Sequence, residues 1–519
     1  MRWPLHYQIL AATLLGAGLG LAFNPGSSKL PDVRYQPGAD GGLVEVDPGE
    51  PTVRLLVVAV EADANLKGAS TGTVTGRSLR FRFESDGVHA VYARTYRVED
   101  RSVPMISRLE LGTETQLKNS HAWLVPSYET YRDSIGRWLD DIARWIGDLF
   151  LRLLKMVTVP LIATSLISAV AGLGGRGRLG GLFGGTLLYY LVTSLLAITT
   201  GLLLVNLIAP GVGAELPGAS REVVGGEGES LTGIFNGLVE KLVPTNPLGA
   251  LANGEFLSII SFSILLGVFL GSVPGAAAKT LVTCVDAAFE VMMALTQWVI
   301  RLAPIGVAGF MLSATVSQGA EVFVTLGWYL LTVFLALVVH ACVVLPLILK
   351  FVARRDPWEY ARALSPALLT AFSTASSNGT LPLTMSSVEQ RAGVPRRVGA
   401  FVLPLGATIN MDGTALYEVV AVLFIAQATP GFELGFSQQL LVAVTALLAS
   451  VGAAGIPHAG LVMMAIVLQA VGLPMEAQGL ILAVDRVLDM CRTSVNVWSD
   501  SCGCAVVARF GGDESTGAT

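Results

Sequence analysis

Charge is what this 519-residue chain has little of: Asp, Glu, Lys and Arg together make up 14% of it. Soluble domains carry roughly 25%, so most of the chain is not built to face water. The net charge of -5 gives no argument for nucleic acid as a partner. Cysteine is rarer still. Cys284, Cys342, Cys491, Cys502 and Cys504 all lie in apolar segments, and none falls in the polar N-terminal region, so no disulfide framework is implied. Cys502-Gly503-Cys504 lacks the spacing of a zinc or thioredoxin motif and reads as helix-packing residues. His6, His89, His121 and His340 are scattered, without ligand spacing. The Gly-x-Gly-Asp context of intramembrane aspartyl proteases is missing, as is the H-E-x-x-H of metalloproteases, so an enzyme is not expected. What remains is apolar: 52% of residues are hydrophobic and the mean hydropathy is +0.62.

The apolar runs set the organisation. Leu5 to Phe23 is long enough to span a bilayer; its n-region has only Arg2 and no clear small-residue cleavage site, so residues 1–23 read as a transmembrane helix and not a signal peptide. Residues 24–128 are rich in Gly, Pro and charge and contain no span. There Leu79-Arg80-Phe81-Arg82-Phe83-Glu84 alternates, Asp86-Gly87 offers a turn, and Val88-His89-Ala90-Val91-Tyr92 follows, which reads as a hairpin in a small β-rich soluble insert. Residues 129–351 hold an amphipathic segment, Trp138–Trp145, expected to lie at the interface, and then spans at Phe150–Val170, Leu182–Ile208, Phe256–Leu270, Val282–Leu302 and Val322–Phe351. Residues 352–511 differ: two apolar stretches are broken by small and polar residues, at Ser373–Pro382 and Ser450–Gly460. Paired interruptions of this kind point to re-entrant hairpins meeting at the midplane. A polar tail, 512–519, closes the chain. Short connections carrying Arg176 and Arg178, Arg354, Arg355 and Arg362, and Arg391, Arg396 and Arg397 place those loops and the N-terminus inside, with the insert and the acidic stretch around Glu222, Glu227 and Glu229 outside.

Against this apolar background one stripe stands out. Asp489, Arg492, Thr493, Asn496 and Asp500, with Asp485 one turn earlier, fall on one helical face at about 100° per residue. A charge at the bilayer centre costs at least ~2.5–3.5 kcal/mol, so such residues face a partner, a cavity or a transport route. Both signs, an amide and a hydroxyl on one face suit a small zwitterion. Structural ion pairs between packed helices are the plainer reading of any single pair here. Three further motifs accompany the stripe: Ser373–Pro382 with its Ser376-Ser377-Asn378-Gly379 tip, Gly406-Ala407-Thr408-Ile409-Asn410-Met411-Asp412-Gly413-Thr414 interrupting an apolar helix, and Ser450-Val451-Gly452-Ala453-Ala454-Gly455-Ile456-Pro457. Unwound backbone offers carbonyl oxygens, and Asp412 and Asp500 offer anionic ones, the donor set that hard cations such as Na⁺ take.

Together these motifs, with Leu242–Pro247 and Tyr189–Ser194, resemble the dicarboxylate/amino acid:cation symporter family, which includes the excitatory amino acid transporters and archaeal aspartate transporters. The resemblance covers roughly Phe150 to Arg509. It implies an all-α polytopic membrane protein of the glutamate-transporter fold, with eight transmembrane helices and two re-entrant hairpins, forming a homotrimer in the cell (inner) membrane. It implies uptake of L-glutamate or L-aspartate with Na⁺ by a transport domain that slides against a scaffold. In the substrate site, Arg492 matches the arginine that holds the side-chain carboxylate, for which a planar fork is suited. Asp489 matches the aspartate that takes the α-ammonium. Ser377, Thr414 and Asn496 match groups near the α-carboxylate or amino group, Thr493 lines the pocket, and Ile456 and Gly460 match the lid. Three sodium sites are implied: Gly406, Asn410 and Asn496 carbonyls with Asp500; backbone carbonyls of Thr408, Ser450, Val451 and Ala453; and Tyr190, Thr193, Ser194, Asn410 and Asp412.

Glu418, one turn after Thr414, resembles the proton-coupled glutamate transporters, whereas archaeal sodium-only relatives carry glutamine; it is the expected proton carrier. The chain also departs from the pattern. Ala375 and Met490 stand where relatives place a second arginine, His458 sits in the lid, and Trp498-Ser499-Asp500 replaces a small-residue run. Asp485 is expected to be a partner of other residues and not a substrate contact. Rival readings stay within reach of simple chemistry: a neutral amino acid exchanger has no need of Arg492, a proton-driven C4-dicarboxylate carrier has no need of Asp489, and a receptor would bind without flux.

Overall fold

The computed structural model describes residues 5–24, 28–29, 33–37, 43–45, 72–84, 87–98, 101–112, 125–171, 180–212, 242–429, 434–451, 459–473 and 475–511, with 115, 118–119, 240 and 432. The first apolar run is α1 (Leu5–Ala22). Strands β1 (Ser28–Lys29), β2 (Val33–Pro37), β3 (Leu43–Glu45), β4 (Gly72–Glu84), β5 (Gly87–Val98) and β6 (Arg101–Gly112) then form one antiparallel sheet in the order β3-β2-β4-β5-β6, with β1 also on β4. The hairpin turn lies one residue earlier than the sequence reading put it. Gly87 is already in β5, paired with Glu84, so the two linking positions are 85 and 86. Contrary to the expectation that no serine-hydrolase elbow (G-x-S-x-G) occurs, Gly68-Ala69-Ser70-Thr71-Gly72 has that spacing. Such an elbow requires a strand-to-helix turn, whereas Gly72 opens a strand; positions 68–71 lie outside the described residues.

After α2 (Val125–Arg132), α3 runs unbroken from Ile135 to Ala171. The amphipathic segment and the span after it are thus one helix, not an interfacial piece followed by a span. No strong breaker separates them, and the polar face has a partner: Asp140 is buried, accepting from Ser313 Oγ at 2.5 Å and Arg144 Nη2 at 2.6 Å. Next come α4 (Gly180–Ile208), α5 (Pro247–Asn253), α6 (Phe256–Ser272) and α7 (Ala276–Ile300). A helix absent from the hydropathy reading, α8 (Ala303–Gln318), leaves α7 at a 45° bend with Pro304 in its first turn. Its glycines hid it in the sequence and explain its packing. A Cβ at Gly309 would lie 2.6 Å from the Ala143 carbonyl oxygen, so α8 meets α3 backbone to backbone.

α9 (Glu321–Val339) continues through π turns at His340–Val344 and Leu349–Ala353. Then come α10 (Pro357–Thr374), α11 (Ser377–Ser386), α12 (Arg396–Ile409), α13 (Asp412–Gln427), α14 (Phe436–Val451), α15 (Ala459–Ala470) and α16 (Leu482–Gly511). Helices α1, α3, α6, α7 and α8 pack as one group. A second group gathers α4, α9 and α10 to α16, with α13 in contact with α4, α9, α14, α15 and α16. Every residue from Asp412 to Ala426 is buried, the polar Asp412, Thr414 and Glu418 among them. Among the described residues four helices are long and apolar enough to cross a membrane, five if the bent α7–α8 pair is one span. The chain is a helical, multi-pass membrane protein.

Candidate substrate and cation sites

The two helix interruptions that the structure describes lie in the second group. Between α10 and α11 the chain reverses at Ala375, whose φ of 51° is left-handed. Ser376 then caps α11, its Oγ accepting from the Gly379 N–H at 3.1 Å. Between α12 and α13 the helix lapses at Asn410 and Met411 and restarts at Asp412. The second break frees backbone groups inside the protein, where polar side chains collect, whereas the tip of the first is partly at the surface, with Asn378 and Gly379 exposed.

α16 presents its stripe to the second break. Arg492 is only 1% exposed, and its guanidinium is fully engaged by its own helix. Nε and Nη2 donate to Asp489 Oδ1 at 3.0 and 2.8 Å, and Nη1 donates to Asp485 Oδ1 at 3.1 Å. Its face lies 4.4 Å from the centroid of the Tyr417 ring on α13. Arg486 Nη1 approaches Asp489 Oδ2 at 3.5 Å. Asp485 is therefore a direct partner of the arginine. Gly460, second residue of α15, closes the other side, since a Cβ there would lie 2.5 Å from Arg492 Nη1.

Next to this cage, Asn496 Oδ1 accepts from the Gly413 N–H at 2.8 Å, and its Nδ2 donates to Thr414 Oγ1 at 3.2 Å. Thr493 and Ser377 are buried. The substrate set Thr414, Gly460, Asp489, Arg492 and Asn496 is thus interlinked through α13, α15 and α16. Ile456 lies outside the described residues. Glu418 is wholly buried on α13, and neither carboxyl oxygen has a hydrogen-bond partner among the described residues.

A second cluster lies one turn further along α16. Asp412 Oδ1 accepts from Ser194 Oγ at 2.8 Å, and its Oδ2 accepts from Ser499 Oγ at 2.6 Å. Asn410 Nδ2 donates to Asp500 Oδ1 at 2.9 Å and to Ser499 Oγ at 3.1 Å, while Thr193 Oγ1 lies 3.4 Å from Asn410 Oδ1. The Tyr190 hydroxyl donates to the Val402 carbonyl at 2.7 Å and borders Gly406, as does the Asp500 carboxylate. The structure therefore brings together Tyr190, Thr193, Ser194, Gly406, Asn410, Asp412 and Asp500. Of the remaining set, expected to offer backbone carbonyls, Thr408 lies near the end of α12 and Ser450 near the end of α14, and their hydroxyls donate to Leu405 O at 3.0 Å and Leu447 O at 2.8 Å. Val451 ends α14, and Ala453 lies outside the described residues.

His340 is the residue that sequence reasoning missed. Its spacing gives no signal, yet its fully buried Nε2 lies 3.2 Å from Asp412 Oδ2. One cue was available: an ionisable side chain inside an apolar span is by default a candidate functional residue. No three His, Cys, Asp or Glu side chains converge as a metal cluster among the described residues. The donors are instead hydroxyls, amides, carbonyls and carboxylates, which suit a hard cation.

The profile of the Sodium:dicarboxylate symporter family matches residues 133–510. The chain is 37% identical over 413 residues to an excitatory amino acid transporter of Caenorhabditis elegans, covering 70% of this chain and 80% of that protein. It is 38% identical over 417 residues to human excitatory amino acid transporter 2 (70% and 72%) and 35% identical over 421 residues to excitatory amino acid transporter 1 of Ambystoma tigrinum (70% and 76%). The strands β1 to β6 precede the matched region.

Proposed function

The chain belongs to the sodium:dicarboxylate symporter family, and from that premise we propose that it takes up L-glutamate and L-aspartate together with Na⁺. One observation carries the substrate class: the buried Arg492–Asp489 pair. An isolated buried ion pair gains little over apolar packing, but this one offers a cation for an anionic side chain and an anion for an ammonium. An acidic amino acid exchanges the internal pair for two external ones without leaving either charge stranded.

In this reading Arg492 holds the side-chain carboxylate and Asp489 the α-ammonium. Asn496, Thr414 and Ser377 orient the α-carboxyl end, Thr493 lines the pocket, and Gly460 with Ile456 forms the lid. Sodium takes the oxygens around Asp412 (Tyr190, Thr193, Ser194, Asn410), those around Asp500 (Gly406, Asn410, Asn496), and the backbone carbonyls of Thr408, Ser450, Val451 and Ala453. Glu418 accompanies the substrate as a proton carrier; a buried carboxyl without a partner is tolerable neutral and costly charged. The fold is that of eight transmembrane helices and two re-entrant hairpins, α10–α11 and α14–α15. The packing of α4 and α9 to α16 into one group supports a transport body that slides past a scaffold of α1, α3, α6, α7 and α8 in an elevator cycle. The assembly is a homotrimer in the cell membrane, with the sheet outside.

Arg492→Cys tests the substrate assignment. Reconstituted in liposomes under an inward Na⁺ gradient, it loses aspartate uptake at least tenfold and gains uptake of small neutral amino acids. Aspartate uptake at the parent rate would overturn the role given to Arg492.

A further inference from the structure

Asp412 has more partners than a cation ligand needs from its own protein. Ser194 donates to Oδ1, while Ser499 Oγ and His340 Nε2 both reach Oδ2. These partners are not equivalent. A hydroxyl is donor and acceptor at once and turns at no structural cost, so Ser194 and Ser499 can release Asp412 and direct lone pairs at an ion. The imidazole cannot. Nε2 faces an acceptor and so carries its hydrogen, while Nδ1 is buried with no hydrogen-bond partner among the described residues and a second N–H there would be stranded. His340 is therefore a donor fixed on Oδ2.

The backbone is shaped to put it there. His340 opens a π turn, and the carbonyl of the next residue, Ala341, accepts from the Trp498 indole Nε1 at 3.1 Å. Trp498 and Ser499 are consecutive, so one turn of α16 holds both the π turn and the Asp412 carboxylate. Ser499 in addition accepts from Asn410 Nδ2 at 3.1 Å, linking Asp412 to the Asn410–Asp500 pair. Two groups separated by 159 residues of sequence (499 − 340) thus converge on one carboxylate oxygen.

We propose that His340 and Ser499 are positioning residues of the Asp412 sodium site: His340 clamps Oδ2 in place, and Ser499 swings from the carboxylate to the ion when Na⁺ binds. The proposal rests on the reading of Asp412 as a sodium ligand. Partners that orient a ligand typically matter by about ten- to a hundredfold in metal affinity. The clamp sets which oxygen of Asp412 meets the ion, so its loss appears in sodium affinity before it appears in maximal rate.

The test is a Na⁺ titration of thermal stability on the purified full chain in detergent, which needs no transport, together with the Na⁺ dependence of aspartate uptake in liposomes. His340→Leu and Ser499→Ala each raise the half-effective Na⁺ concentration about tenfold or more in both measurements. His340→Gln, whose Nε2 places an N–H at the same reach, stays within about threefold of the parent. A folded His340→Leu protein with the parent's sodium dependence overturns the clamp, as does a Gln variant as impaired as Leu; should His340→Leu fail to fold, unchanged sodium dependence in Ser499→Ala overturns the proposal by itself. Asp412→Asn separates the two levels. If it abolishes the sodium response while the His340 and Ser499 variants leave it intact, only the clamp fails. If Asp412→Asn also leaves the response intact, the sodium site itself has been misread.

Discussion

Arg492 is held by two carboxylates on its own helix and by the Tyr417 ring, so it is aimed before any ligand arrives. A long side chain of this kind ordinarily loses rotamer freedom when it binds; here that loss has been met in folding. Its placement depends on a neighbour with no side chain. At Gly460 an added methyl carbon would lie 2.5 Å from Nη1 and 2.7 Å from Cζ, and the guanidinium has no slack with which to give way. Gly460→Ala is therefore expected to raise the KM for aspartate at least tenfold while leaving the protein folded, as judged by gel filtration and substrate competition; an unchanged KM would mean that the lid does not close on Arg492. At this scale the sequence was informative where residues share a helix. Asp485, Asp489, Arg492 and Asn496 are legible from periodicity because spacing fixes their common face. His340 was not legible, because its partner lies 72 residues away on another helix and only the packing of α9 on α13 brings them together.

The helices that matter most are those that stop. α12 ends and α13 begins around Asn410 and Met411, and Gly413 then brings α13 against α16 with its N–H on Asn496. A Cβ at Gly413 would lie 2.5 Å from the Arg492 carbonyl oxygen, a backbone atom that cannot swing aside. Gly413→Ala should destabilise the protein by about 1–3 kcal/mol, the usual range for overpacking, and weaken both substrate and sodium binding, because Asn496 and Arg492 move together. A melt in detergent with and without ligand checks this, and parent-like stability with parent-like ligand shifts would contradict it. Breaks such as this one are legible in sequence, since small and polar residues interrupt an apolar run. The π turns of α9 are not, because their residues are as apolar as those of a regular helix; the Trp498 indole of α16, which donates to the Ala341 carbonyl in the first of them, lies far away in sequence. α8 was missed for the opposite reason: Gly306, Gly309 and Pro304 look like a break, yet they permit the close contact with α3.

At the scale of the molecule, the polar residues gather in the group built around α13, while α1, α3, α6, α7 and α8 present largely apolar surfaces to one another. A bilayer offers no water to compensate a buried charge, so both sites must be satisfied internally between ligands, as the Arg492 cage and the Asp412 network are. On the proposed reading, the substrate and the cation replace these internal partners with matching charge, which would couple the two. In the proposed cycle the buried Glu418 carries a proton as the third member. Uptake should therefore depend on Na⁺, rise as the external medium is acidified, and lose that rise in Glu418→Gln. The decisive measurement is uptake of L-aspartate and L-glutamate into liposomes under an inward Na⁺ gradient at two external pH values. Na⁺-dependent accumulation that is larger at the lower pH is the expected result. Uptake of malate driven by protons alone, with no Na⁺-dependent flux of either amino acid, would contradict it and would remove the role assigned to Asp489.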